Sequence, residues 1–365
     1  MDIKKEFIPT QVRGWVNDIL DSDTDWHFWY PWLENLKNTQ TFVHLSASWS
    51  NDKSWPILPD PGYDQYVLSG DSGMSGWAEH VAQLYEKPIF VIELPEVYQP
   101  SQHALVHSIP NTYYHKQIER LSTQYTAVAQ KKIIYKASSL VGRITQSKVI
   151  VFSALERYLK NDCFLSLHDR LQLQNVHNWG LTQNKKLDEL TLHFKENWIN
   201  KTLIMDNDDQ DQLSINIPAY TQAALNFTQE SFHYSLMYNS EKNYSEILSG
   251  PFLTEKTFKC LLSKTAFIPV GQFRSYAWLR SAGMKFDYGL NLSFDNDEGN
   301  ITRLSKLVDL INDISKYSAQ DLYEMTQSST DHNYLTISSG EFDNFCKTSN
   351  AFHLSTLYEK ILGQC

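Results

Sequence analysis

With 365 residues, 42% of them hydrophobic, the chain is long enough to bury two cores and too apolar to stay unfolded. Its net charge of -10 opposes strong non-specific binding to nucleic acid, and no apolar run approaches the roughly 20 residues of a membrane span. Cys163, Cys260, Cys346 and Cys365 form neither a CxxC pair nor a metal spacing, and the opening Met1-Asp2-Ile3-Lys4-Lys5-Glu6 is mixed in charge where a secretory leader would be basic and then apolar. A cytoplasmic protein with free thiols and no membrane partner is expected.

In chain order, short buried-type runs at Thr41–Leu45, Gln65–Leu68 and Pro88–Ile92 predict strands, with a helical stretch from Gly76 to Tyr85 between the last two. Strands alternating with a helix give an α/β sheet to a first lobe, residues 1–128, with a hinge around Thr123–Gln130. Seven of the ten tryptophans lie in this lobe, as aromatic faces that fill a core or stack on sugars and bases. A second lobe, residues 129–331, is expected to begin with Lys131–Ser139 and an amphipathic helix from about Gln146 to Lys160. An insert at about 170–218 holds a helix near Asp188–Asn197. A strand at Tyr234–Glu241, a helix opened by Thr254 and a strand at Ala266–Gly271 follow. The helix Ile301–Ile314 shows Leu304, Leu307, Val308, Ile311 and Ile314 on one face, and residues 332–365 form a C-terminal segment.

Charge varies by region. Residues 115–160 carry nine basic side chains (Lys116, Arg120, Lys131, Lys132, Lys136, Arg143, Lys148, Arg157 and Lys160) against Glu119 and Glu156. This stretch is either a face for a polyanion such as duplex DNA or a solvated lysine-rich linker. No metal site is expected. Asp206-Asn207-Asp208 mimics a metal-binding DxD but lies too late in the chain for the single-sheet fold that uses it. The two acidic runs hold Ile217 and Lys306 where a calcium loop needs a bidentate glutamate.

The most informative segment is Gly250-Pro251-Phe252-Leu253-Thr254-Glu255-Lys256-Thr257-Phe258-Lys259, followed by Ala266-Phe267-Ile268-Pro269-Val270-Gly271. Thr254 is a good N-cap, and Glu255 and Lys256 fall in the first turn of a helix that buries Phe258, Leu261 and Leu262. A helix N-terminus and an ammonium favour phosphate, and a carboxylate accepts two sugar hydroxyls, so the trio suits a nucleotide diphosphate.

This segment resembles the Tyr-x-Thr-Glu-Lys helix and following strand of the α-1,3-fucosyltransferases and of phage-encoded proteins related to them. It departs from them at Cys260, Ala266 and Met284. Lys131–Ser139 with Arg143 resembles the entry to that family's donor-binding lobe, and the strand ending at Glu241 resembles the one that precedes its helix. The resemblance covers roughly residues 130 to 315. It implies an α/β fold of GT-B type, two Rossmann-like lobes facing a cleft, and a metal-independent, inverting glycosyltransferase that needs no cofactor beyond its nucleotide-diphosphate sugar co-substrate.

The implied roles are specific. Arg143 and Lys256 would hold the diphosphate, Thr254 would cap the helix, Glu255 would take the ribose, and Glu241 ribose or base. In such an arrangement the base that deprotonates the acceptor hydroxyl comes from the first lobe. Asp71, in the turn Ser69-Gly70-Asp71-Ser72-Gly73 after a strand, is the first choice, with His44 and Glu79 behind it. The phage context implies a hydroxymethylated pyrimidine in DNA as acceptor, flipped into the cleft. A surface polysaccharide or protein is the alternative acceptor, and a non-catalytic binding module the alternative function.

Overall fold

β-branched and aromatic runs become strands in both halves of the chain. The computed structural model describes residues 12–15, 41–45, 65–69, 78–79, 82–83, 85–93, 103–110, 131–142, 144–167, 182–198, 217–230, 236–239, 244–247, 253–297, 299–342 and 344–345. Two compact units divide the chain: Met1–Lys116 with Leu236–Ser249 and Phe345–Cys365, and Gln117–Ser235 with Gly250–Asn344.

The first unit contains a five-stranded sheet of β1 (Val12–Trp15), β2 (Thr41–Leu45), β3 (Gln65–Ser69), β4 (Ile89–Glu93) and β5 (Val106–Pro110), adjacent in chain order. Strands β2 to β5 are parallel, and β1 lies antiparallel along β2. Tyr66, Ile89, Phe90 and Val106 are buried. Within the stretch expected to be helical, residues 78–79, 82–83 and 85 are helical, and Ala78 and Ala82, four apart on one face, are fully buried.

The second unit is built on four parallel strands: β6 (Tyr135–Val141), β7 (Cys163–Leu167), β8 (Ala223–Gln229) and, later in the chain, β11 (Ala266–Val270). Their order is β7-β6-β8-β11. Every residue of β7, β8 and β11 is buried, as a parallel sheet covered on both faces requires.

Seven α-helices are described. They are α1 (Gln146–Leu159), α2 (Lys185–Asn197), α3 (Pro218–Thr221), α4 (Glu255–Leu262), α5 (Ser275–Ser281), α6 (Asn300–Ile314) and α7 (Ala319–Ser338). The β6–α1–β7 and β8–α4–β11 crossovers leave neighbouring strands in opposite directions, so right-handed connections set α1 and α4 on opposite faces. On one face α1 packs on β6 and β7 and is itself covered by α2 and α6, which explains its all-round burial from Val149 to Leu155. On the other, α7 lies across β8, β11 and β6 and against α4.

Two expectations for this half change. Leu236–Asn239 is a strand, β9, but it pairs antiparallel with β10 (Tyr244–Ile247) in a hairpin that groups with the first unit. The strand that precedes α4 in the parallel sheet is β8. Helix α7 runs unbroken past residue 331, where the second lobe was expected to end, and opens on a capping box in which Ser318 and Asp321 bond each other's backbone N–H.

α7 has a second role. Residues 284–288 run extended without a strand partner and bury Met284, Phe286 and Tyr288 alternately. Their backbone is satisfied by side chains of α7: Lys285 N–H donates to Asn333 Oδ1 at 2.7 Å, Asn333 Nδ2 donates to the Lys285 carbonyl at 2.7 Å, and Asp287 N–H donates to Ser329 Oγ at 3.0 Å. Amide and hydroxyl groups there take the place of a neighbouring strand.

Candidate functional site

Open parallel sheets take ligands beyond the carboxyl ends of their strands, where the strand order reverses. In the second unit that point lies between β6 and β8. Beyond β6 the chain leads on to α1; beyond β8 comes Glu230; and α4 starts at the same edge, because it returns the chain from β8 to β11.

Glu230 is the residue the sequence reading did not single out. It is 1% exposed, yet its carboxylate is well supplied with donors. Thr254 N–H donates to Oε1 at 3.2 Å, Thr254 Oγ1 donates to Oε2 at 2.6 Å, and Thr257 Oγ1 donates to Oε1 at 2.6 Å. A strand-end carboxylate thus caps α4 from outside the helix. An acidic group at a helix N-terminus is stabilised by the free N–H groups and by the helix dipole. Burial pushes the Glu230 carboxyl above the usual range, while the Lys256 ammonium and the two threonine hydroxyls pull it back.

The Thr254-Glu255-Lys256 triplet is assembled around that carboxylate. Thr254 Oγ1 accepts from Lys256 N at 3.4 Å, the expected cap, and also from Lys256 Nζ at 3.1 Å. Lys256 Nζ further meets Glu255 Oε1 at 3.1 Å. A continuous path therefore runs from Glu230 through the Thr254 hydroxyl to Lys256 and on to Glu255, with one ammonium shared by two carboxylates. Burial opposes charge on Glu255, but Lys256 and Lys259 outweigh it and hold the carboxyl below its usual range. Burial likewise disfavours the Lys256 ammonium, and Glu255 and Glu230 outweigh it, so the amine is held charged. The side chains of Lys256 and Glu255 are 35% and 28% exposed, so both can reach a ligand.

The next loop at this edge is fixed from behind. Buried Arg303 donates through Nε to the Gly271 carbonyl at 3.2 Å, and the Asp295 carboxylate accepts Ser275 N–H at 2.9 Å and Tyr276 N–H at 3.0 Å to cap α5.

Of the other expected site residues, Asp71, Arg143 and Glu241 lie outside the described residues, as does Asp206-Asn207-Asp208. His44 stands on β2, opposite Arg13 of β1 and Leu68 of β3 in register, and Glu79 on a helical turn; both belong to the first unit. The basic stretch is not one free face. Lys136 pairs with Asp162 at 2.9 Å and donates to the Ser315 carbonyl, Lys131 donates to Thr265, and Lys148 is 5% exposed. Lys132, Arg157 and Lys160 are exposed. Among the described residues no group of three His, Cys, Asp or Glu side chains could hold a metal, and no helix is long and apolar enough to cross a membrane. Cys163 and Cys260 are free and buried, and burial pushes each thiol up to about 12.

Comparison with protein-family models, with curated proteins and with solved structures finds no match to this chain.

Proposed function

We propose that the chain is a glycosyltransferase of GT-B type that binds a nucleotide-diphosphate sugar at the α4 edge of the second unit and moves the sugar to an acceptor hydroxyl. The observation that carries this reading is the placement of the Thr254-Glu255-Lys256 triplet. A half-exposed ammonium and a half-exposed carboxylate sit on the first turn of a capped helix, at the carboxyl edge of a parallel sheet beside its reversal point. The family resemblance of the same segment points the same way.

The chemistry divides between the residues as follows. Glu230 already occupies the N–H of Thr254, so Lys256 rather than the bare helix end meets the diphosphate and offsets the charge that develops as it departs. Glu255 accepts hydroxyls of the ribose, and Arg143, between β6 and α1 in the sequence, adds a second cation. Asp71, with His44 and Glu79 as alternates, is the proposed base for the acceptor hydroxyl. The acceptor proposal, a hydroxymethylated pyrimidine in duplex DNA, rests on the phage context of the resemblance and on no single residue; transfer to a polysaccharide or protein would not need a basic face.

A thermal-shift series against UDP, GDP, CDP and their sugars tests the reading. Ligand at 100 times its dissociation constant should stabilise the wild type by about 2.7 kcal/mol, and Lys256→Ala should abolish the response. Silence from the wild type toward every nucleotide overturns the reading.

A further inference from the structure

At the start of α4 two carboxylates, Glu230 and Glu255, lie about the ammonium of Lys256, and Lys259 acts on Glu255 as well. The two carboxylates are not equivalent. Glu255 is 28% exposed on its side chain and can be compensated by water, whereas Glu230 is 1% exposed. Among the described residues its hydrogen-bond partners are the Thr254 N–H and the Thr254 and Thr257 hydroxyls. The charged or titratable groups that act on it are Lys256 and Glu255, and Cys260 feels it in turn; all three belong to α4. No arginine or second lysine reaches its carboxylate among the described residues.

We propose that Glu230 is the positioning residue of the anion site, holding Lys256 through the Thr254 hydroxyl, and that binding of a diphosphate at Lys256 is accompanied by uptake of a proton by Glu230. This inference rests on the donor-site reading given above. Its physical basis is that a ligand anion withdraws the ammonium from Thr254 and brings negative charge toward a buried carboxylate that water cannot screen. Both changes favour the neutral acid. The proton comes from solvent, adds to a Glu230 oxygen and leaves the carboxylic acid still able to accept from Thr254 and Thr257 with its other oxygen. By linkage the bound state holds more protons than the free state, so affinity rises as pH falls, by up to about tenfold per pH unit.

Titration calorimetry with UDP-glucose and GDP-mannose tests this on the full chain. Their bridging diphosphates carry no group that titrates near neutral pH, so any proton exchanged belongs to the protein. Run at the same pH in PIPES and in imidazole, buffers of unlike ionisation enthalpy, the wild type should show different observed enthalpies that correspond to uptake of up to about one proton per ligand. Glu230→Gln should still bind, more weakly, with no difference between buffers. Thr254→Ser, which keeps the bridging hydroxyl, should retain both affinity and uptake, and Thr254→Val should lose about tenfold in affinity; this pair carries the positioning claim should Glu230→Gln fail to fold. Binding with identical enthalpies in the two buffers overturns the inference and leaves the donor site standing. Uptake that survives in Glu230→Gln overturns the assignment to Glu230. Wild-type protein that binds no sugar nucleotide of the UDP, GDP and CDP series overturns the donor-site reading and this inference with it.

Discussion

Two lysines at opposite ends of one sheet meet opposite fates. Lys256, at the carboxyl edge of the second unit, is flanked by Glu255 and Glu230, and they lift its amine above the usual value against the effect of burial. Lys131 precedes β6 at the amino edge, where among the described residues its ammonium donates to Thr265 Oγ1 at 2.5 Å, and that hydroxyl donates in turn to the Tyr220 carbonyl at 2.8 Å. Burial lowers the Lys131 amine to about 7; Lys264 lowers it further, while Cys260 and Asp331 oppose the shift. A neighbouring cation that could have drawn in a carboxylate, Lys264, spends its own on Asp331 at 2.9 Å. Burial alone thus does not decide whether a charge persists. The partners within reach do, and at this sheet they are concentrated at the edge where parallel folds bind ligands.

Substitution at either edge of the sheet tests these opposite fates. The largest effect belongs to Glu230→Ala, which strips the acceptor from two buried hydroxyls and a buried N–H at once. It should destabilise by about 3 kcal/mol in urea unfolding and lower thermal stability accordingly. An unchanged unfolding midpoint would mean that the carboxylate does not hold α4. On the other side, Lys131→Met should stabilise near neutral pH by on the order of 2 kcal/mol, after allowing for the partial exposure of the lysine. Because the native amine titrates near 7 and the unfolded one near 10.5, the unfolded chain holds more protons between those values, and wild-type stability should rise with pH across that window. The methionine variant should lack this slope; two parallel stability–pH curves would refute a lowered Lys131 amine. The smallest effect is at Asn333→Ala, away from both lysines. It leaves the Lys285 N–H and carbonyl without their partners and should cost about 1–2 kcal/mol, with ligand response retained. Loss of the response in that variant would tie the extended segment to the site.

What the sequence disclosed depended on where polar residues sit. Helices α1, α2, α4 and α6 and strands β2, β3, β4 and β11 were legible because each carries apolar periodicity or a local cap such as Thr254. Strand β8 was not, although it is central, because Asn226, Thr228 and Gln229 interrupt its pattern. Their polarity is hidden by bonds no local pattern announces: Asn226 Nδ2 to Ser138 Oγ at 2.8 Å, Thr228 Oγ1 to Asn226 Oδ1 at 2.9 Å and Gln229 Nε2 to Ser139 Oγ at 2.8 Å. Helix α7 was lost for a similar reason. Thr326 and Thr336 are buried and return their hydroxyls to the carbonyls of Leu322 and His332, so a helix core looks like a polar tail. With β8 unseen, Glu230 at its end was not singled out, and the site's buried member was missed. The exposed members, Glu255 and Lys256, were found because a helix start is a local event.

The contact between Glu230 and Thr254 joins residues 24 apart. Between them the chain leaves the second unit after Ser235, forms the β9–β10 hairpin and returns at Gly250. In polymer terms the three hydrogen bonds clasp a loop, and the entropy of closing a loop grows only with the logarithm of its length, about 0.6 kcal/mol for each doubling. The hairpin can therefore be lengthened, shortened or exchanged at small expense to the clasp. This places the chain's tolerance for insertion within the loop that a buried, triply bonded carboxylate closes.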